Sequence, residues 1–194
     1  MTEVETTPDA VEVGPPVAPV ATPDDWKLKR NRSVAFVIAF LIFLFDQATK
    51  WVVTYPLNLE NQPGQTITLA SFFDLHWVEN TGVSLGLLSA GSVMGRWLLV
   101  AMTAGIALFV AIWLWRERRR DDSIALAMIL GGALGNILDR VRFGYVVDFA
   151  DLHFGEWRPF LVFNVADAAI TIGVLLLLVR ALLMRDGKDK KKEA

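Results

Sequence analysis

The sequence predicts an all-α integral membrane protein: four transmembrane helices with a small β or amphipathic platform on their outer side. Three observations point there. The chain is 54% hydrophobic with a mean hydropathy of +0.41, ordinary for a small polytopic membrane protein and high for a soluble domain. Four apolar stretches are long enough to cross about 30 Å of hydrocarbon at about 1.5 Å per residue. The charges are segregated along the chain, so the net −2 describes no particular face.

Residues 1–32 read as a disordered acidic tail closed by a basic juxtamembrane cluster, Lys27, Lys29, Arg30 and Arg32. A secretory signal puts positive charge first, then a short apolar stretch and a small-residue cleavage site. Here the basic cluster comes late and the apolar run leads into Asp46, so it is expected to be a retained span. That span, 33–55, ends at Pro56. The second, 97–115, is bounded by Trp97 and Trp115, residues suited to the membrane–water interface. The third, 123–141, contains Gly131, Gly132 and Gly135, and the fourth covers 163–184. Residues 33–184 thus form one membrane domain, followed by a basic tail at 185–194.

Lys and Arg counts orient the spans. Thirteen flank one side and three (Arg96, Arg142, Arg158) the other, so both termini are expected in the cytoplasm. Two outer segments remain. In 65–78 the alternation of Ile67, Leu69, Phe73, Leu75 and Trp77 favours strands, with a turn at Asn80-Thr-Gly82. In 145–160 apolar residues interleave with Asp148, Asp151 and Arg158, which suits a platform lying on the bilayer surface.

On this topology Asp46 and Asp139 lie about 20 Å and about 24 Å from the inner face by helical rise. Asn164 and Asp167 open the last span from the outer side, and Asp148 sits in the loop before it. A charge at a helix centre in lipid costs roughly 2.5–3.5 kcal/mol. Several at one depth imply a site.

Asn136, Asp139 and Arg140 share a helix face at i, i+3 and i+4. They form either part of that site or an Asp–Arg pair closing the helix beside a small-residue seam at Gly131 and Gly135. Asp46 and Lys50, at i and i+4, suit a bracing ion pair. Asn164 fits a helix cap, but capping leaves Asp167 unexplained. Two carboxylates in a poorly hydrated cleft share a proton. One then polarises a water while the other protonates the carbonyl or leaving group. The residues themselves leave both Asp139 and Asp148 open as partner to Asp167.

Without cysteine there is no thiolate nucleophile or thiolate metal site, and two histidines, His76 and His153, argue against a multi-histidine centre. No metal or organic cofactor is expected. Gly82-Val-Ser84-Leu-Gly86 matches the G-x-S-x-G pattern, but that motif needs an elbow in a large α/β sheet, for which the chain has no room. An ion-coupled transporter needs polar residues in both halves of its spans, whereas 34–45, 124–130 and 173–179 are apolar. A non-enzymatic assembly or anchoring protein is the third reading.

Five motifs then occur in order: Asp46-Gln-Ala-Thr-Lys50, Glu79-Asn-Thr-Gly82, Gly135-Asn-Ile-Leu-Asp-Arg140, Val146-Val-Asp-Phe149 and Phe163-Asn-Val-Ala-Asp167. Together they resemble the motif set of the lipoprotein signal peptidases (signal peptidase II) over about 33–184. The resemblance implies an aspartyl endopeptidase of the bacterial cytoplasmic membrane with its site near the outer face. It implies cleavage of signal peptides from diacylglyceryl-modified prolipoproteins just before the lipidated cysteine. By motif, Asp148 and Asp167 are the catalytic pair. Asn80, Gly82, Asn136, Arg140 and Asn164 line the site, and Asp46, Lys50 and Asp139 support it. The expected partners are membrane lipids and diacylated prolipoproteins, with no nucleic acid, and the expected state is a monomer. Val-Ser-Leu-Gly after Gly82 departs from the small and aromatic residues the family commonly has there, which bears on groove shape and not on the chemistry.

Overall fold

The computed structural model describes residues 23–82 and 93–189. Four helices run through it: α1 (Pro23–Thr54), α2 (Val93–Arg116), α3 (Arg120–Arg142) and α4 (Val165–Asp189). Each contains a segment long and apolar enough to span a bilayer. α1 starts ten residues before the apolar run, because the basic cluster has no helix breaker and continues the helix outward. The α2–α3 connection is short and held by Glu117, whose carboxylate accepts the Arg118 and Arg119 N–H groups and the Trp113 indole N–H.

α3 is the central helix, with α1, α2 and α4 packed around it. Its small residues permit this. A Cβ on Gly131 would collide with the Ala39 carbonyl of α1, and one on Gly132 with the Ala166 carbonyl of α4. In lipid, where hydrophobicity does not drive helices together, such close backbone approach is a main source of association. The half of the bundle away from the sheet is correspondingly apolar, around Ala35, Ala39, Leu114, Leu126, Ala127 and Leu130.

The two segments between spans one and two and between spans three and four form one small sheet, the platform the sequence suggested, with strands drawn from both. β1 (Thr66–Ala70), β2 (Phe73–Asn80) and β3 (Val146–Leu152) are antiparallel in the order β1-β2-β3. β2 pairs Val78 with Asp148 and Asn80 with Val146. The expected alternation holds on β2, where Leu75 and Trp77 are buried with Val53, Leu59, Val147 and Phe149. β3 is buried on both faces because α3 and α1 lie against it, and Phe163 bridges to Ala150.

Candidate active site

The site grows from a brace at the end of the bundle that carries the sheet. Lys50, 4% exposed, donates to Asp46 Oδ2 at 2.9 Å, Asp139 Oδ2 at 2.7 Å and Asn136 Oδ1 at 3.1 Å. Its three donors are thereby used, which is what keeps a buried ammonium tolerable. The two carboxylates reach outward in turn. Asp46 Oδ1 accepts the Ala166 N–H of α4 at 2.9 Å, and Asp139 Oδ2 accepts the Val147 N–H of β3 at 3.2 Å. Gln47 closes the group, donating to Asp139 Oδ1 at 3.0 Å and to Asp46 Oδ2 at 3.2 Å. One cluster thus fastens α1, α3, α4 and β3. A side chain at Gly135 would strike Asp46, so that glycine is part of the fit.

Asn136 leads from the brace to the second group. Its Oδ1 faces Lys50, and its Nδ2 donates to Asp167 Oδ1 at 2.8 Å. Asn164, 1% exposed, works from both ends of its amide. Its Oδ1 accepts the Asp167 N–H at 2.9 Å, capping α4, while Nδ2 donates to Asp148 Oδ1 at 2.5 Å and lies 3.3 Å from Asn136 Oδ1. Asn80, at the end of β2, donates to Asp148 Oδ2 at 2.9 Å, and its Oδ1 accepts the Gly82 N–H. That turn requires φ +93° at Gly82, a left-handed value that favours glycine. Asp148 and Asp167 are therefore joined through two amides, Asn164 and Asn136.

Burial pushes the Asp148 carboxyl up to about 6; the charge of Asp167 acts the same way, while the bonds from Asn80 and Asn164 and the charge of Lys50 act against it. Asp167 is less enclosed and lines an apolar groove of about 230 Å³ with Phe160, Leu161, Phe163, Thr171 and Ile172.

The ten residues singled out in the sequence converge here, with two adjustments. Asp139 does not pair with its helix neighbour Arg140; Lys50 takes it, because α1 crosses α3 at that level. Arg140 lies instead within electrostatic reach of Asp167, Asp148 and Asp139. Gln47 escaped sequence reasoning. The available signal was a second polar residue beside Asp46 in the same intramembrane turn. Ser84 and Gly86 of the G-x-S-x-G pattern lie outside the described residues. Among the described residues no group of three or more His, Cys, Asp or Glu side chains is placed to hold a metal ion.

The family model for signal peptidase (SPase) II matches residues 38–183, a stretch that contains the whole network. The chain belongs to the signal peptidase II family. Among its relatives, the lipoprotein signal peptidase of Sphingopyxis alaskensis is 61% identical over 148 residues, 76% of this chain and 84% of that one. The lipoprotein signal peptidase of Rhizorhabdus wittichii is 55% identical over 158 residues, 81% and 91% of the two chains. A solved structure described as a bacterial membrane enzyme superposes with a TM-score of 0.66 at 27% identity, over 81% of this chain and 92% of that one. As a signal peptidase II, the chain is an intramembrane aspartic endopeptidase. It removes signal peptides from diacylglyceryl-modified prolipoproteins, cleaving before the lipidated cysteine. Its four apolar helices make it a multi-pass protein of the inner membrane.

Proposed function

We propose that Asp148 and Asp167 are the catalytic pair of this peptidase. The observation that carries the reading is the amide chain Asp148–Asn164–Asn136–Asp167, which holds two acids close together with neutral donors. Neutral amides fix the carboxylates without consuming their basicity, as an ammonium would. Asp148, the more buried, holds the proton the pair shares. Asp167, open to the groove, takes a proton from a water, which adds to the scissile carbonyl carbon. Asp148 gives its proton to the carbonyl oxygen. As the tetrahedral diol collapses, the C–N bond breaks, the proton taken from water passes from Asp167 to the leaving nitrogen, and Asp148 takes back a proton from a diol hydroxyl. Arg140 offsets the single negative charge that the two acids carry between them throughout. Lys50, Asp46, Asp139 and Gln47 act as positioning residues, through Asn136 and the Val147 N–H.

The substrate is a diacylated signal helix embedded in the bilayer. Its backbone unwinds at the cleavage point, since carbonyls bonded within a helix cannot meet a nucleophilic water. The apolar groove beside Asp167 and the edge of the sheet are suited to the extended segment and the acyl chains. Both termini lie in the cytoplasm, the site faces outward, and the enzyme works as a monomer; the asymmetry of Lys and Arg supports that orientation.

The test is cleavage of a purified diacylated prolipoprotein by the pure enzyme and by Asp148→Asn and Asp167→Asn. Each substitution is expected to abolish turnover while the protein stays folded. Substantial turnover by either variant overturns the assignment.

A further inference from the structure

A second apolar cleft lies away from the aspartates, on another side of α3. α1 and α2 both lean on α3 but scarcely touch each other. Between them opens a groove of about 790 Å³, lined by Phe36 and Phe40 of α1, Ala104 and Leu108 of α2, and Leu134 and Val141 of α3. Its α1 wall runs from Phe36 to Phe43 and its α2 wall from Ala104 to Ala111, each about 10 Å at helical rise. Both stretches fit within the hydrocarbon of the leaflet at the basic end, about 15 Å deep, while the α3 wall, 130–141, continues past it.

The end near Phe36 is chemically distinct. The Phe36 ring stands 6.2 Å from that of Trp115, and Arg32, one helical turn earlier, lays its guanidinium over the same indole at 5.4 Å. Among the described residues no carboxylate lies within ion-pair distance of Arg32, and its Nε is buried without a hydrogen-bond acceptor. Lys29, Arg30, Arg116 and Arg118 occupy the same end of the bundle. An apolar slot with a stacked cation, free of any anion, one helical turn beyond its Phe36 end matches a lipid that has both a tail and a phosphate.

We propose that this groove seats one acyl chain of a phosphatidylglycerol from the leaflet at the basic end, with its phosphate on Arg32. An anionic headgroup is favoured because the flanking cations add to the attraction. The diacylglyceryl group of the substrate has no phosphate to offer Arg32. This site is independent of the catalytic assignment.

The experiment is native mass spectrometry of the full chain in detergent, titrated with phosphatidylglycerol or with diacylglycerol of the same chains. The wild type is expected to retain one phosphatidylglycerol. Arg32→Gln is expected to weaken that binding about fivefold, and Ala104→Trp, which fills the groove from its lipid side, about tenfold. Diacylglycerol is expected to bind more weakly, and with the same affinity to wild type and Arg32→Gln. The proposal falls if the wild type retains no lipid, or if both variants bind phosphatidylglycerol like the wild type. It also falls if diacylglycerol binds as tightly as phosphatidylglycerol, if only one of the two variants loses affinity, or if a diacylated prolipoprotein displaces the lipid mole for mole. Arg32 is a partly exposed position near the start of α1, so its variant stays informative even if Ala104→Trp fails to fold.

Discussion

Asp46 and Asp139 share an ammonium, Lys50, at 2.9 and 2.7 Å. Asp148 and Asp167, one amide further along the same network, are held by Asn80, Asn164 and Asn136. Among the described residues no cationic nitrogen lies within ion-pair distance of either. The same residue type at neighbouring depths is put to opposite uses. An ammonium shared by the first pair turns it into a clamp between helices. Amides fix the second pair in place and leave its proton affinity available. What separates the brace from the pair proposed to be catalytic is thus the charge of the donor, since all four carboxylates are hydrogen-bonded.

That contrast can be broken from the Asp148–Asp167 side first. Asp148→Asn and Asp167→Asn are each expected to cut cleavage by at least about 1000-fold, the scale of a general acid–base pair, with unfolding temperature in detergent retained. The next effect falls on the brace. Lys50→Met leaves two buried carboxylates without their cation, a loss of about 3–5 kcal/mol, seen as a marked drop in unfolding temperature. Adding Asp139→Asn to Lys50→Met is expected to recover part of that loss; no recovery would mean that Lys50 stabilises by packing alone.

A smaller effect is a displacement in pH. The Asp148 carboxyl takes up a proton near pH 6, which infrared spectroscopy detects as a carboxylic C=O stretch that Asp148→Asn removes. Asn80 donates to the charged form and so holds that value down; Asn80→Ala is expected to move the step to higher pH. The sign for stability follows. The folded value lies above the ordinary aspartate value of 3.8, so Asp148 contributes stability that is complete below that value and lost as pH rises through about 6. Unfolding temperatures of wild type and Asp148→Asn, compared across that range, check it. The smallest effects are expected outside the network. Ser84→Ala and removal of residues 1–25 should each leave most activity, and complete loss in either would give that region a catalytic role.

Much of this was legible in the sequence. The four spans announce themselves because lipid forces every backbone group in them to bond locally, so length and apolar content carry the signal. Asp46–Lys50 was legible for the same reason, its i, i+4 spacing lying within one helix. Asp139–Arg140 looked equally plausible and did not form, because a lysine from another helix competes for the acid. The merging of residues 66–80 and 146–152 into one sheet was not legible, since strand partners are chosen by contacts far apart in sequence.

The sequence by itself determined the membrane class, the number of spans and the depth at which polar residues gather, because these follow from local hydrophobic runs and helical rise. Which acid meets Asp167 was decided by tertiary structure. Asp139 and Asp148 are nine residues apart at similar depth, and nothing local to either separates them. The register of β3 against β2 does: with Asp148 opposite Val78, the Val147 N–H binds Asp139 while the Asp148 side chain meets Asn80 and Asn164. Strand side chains alternate faces with a period of two, so a slip of one residue would reverse that arrangement.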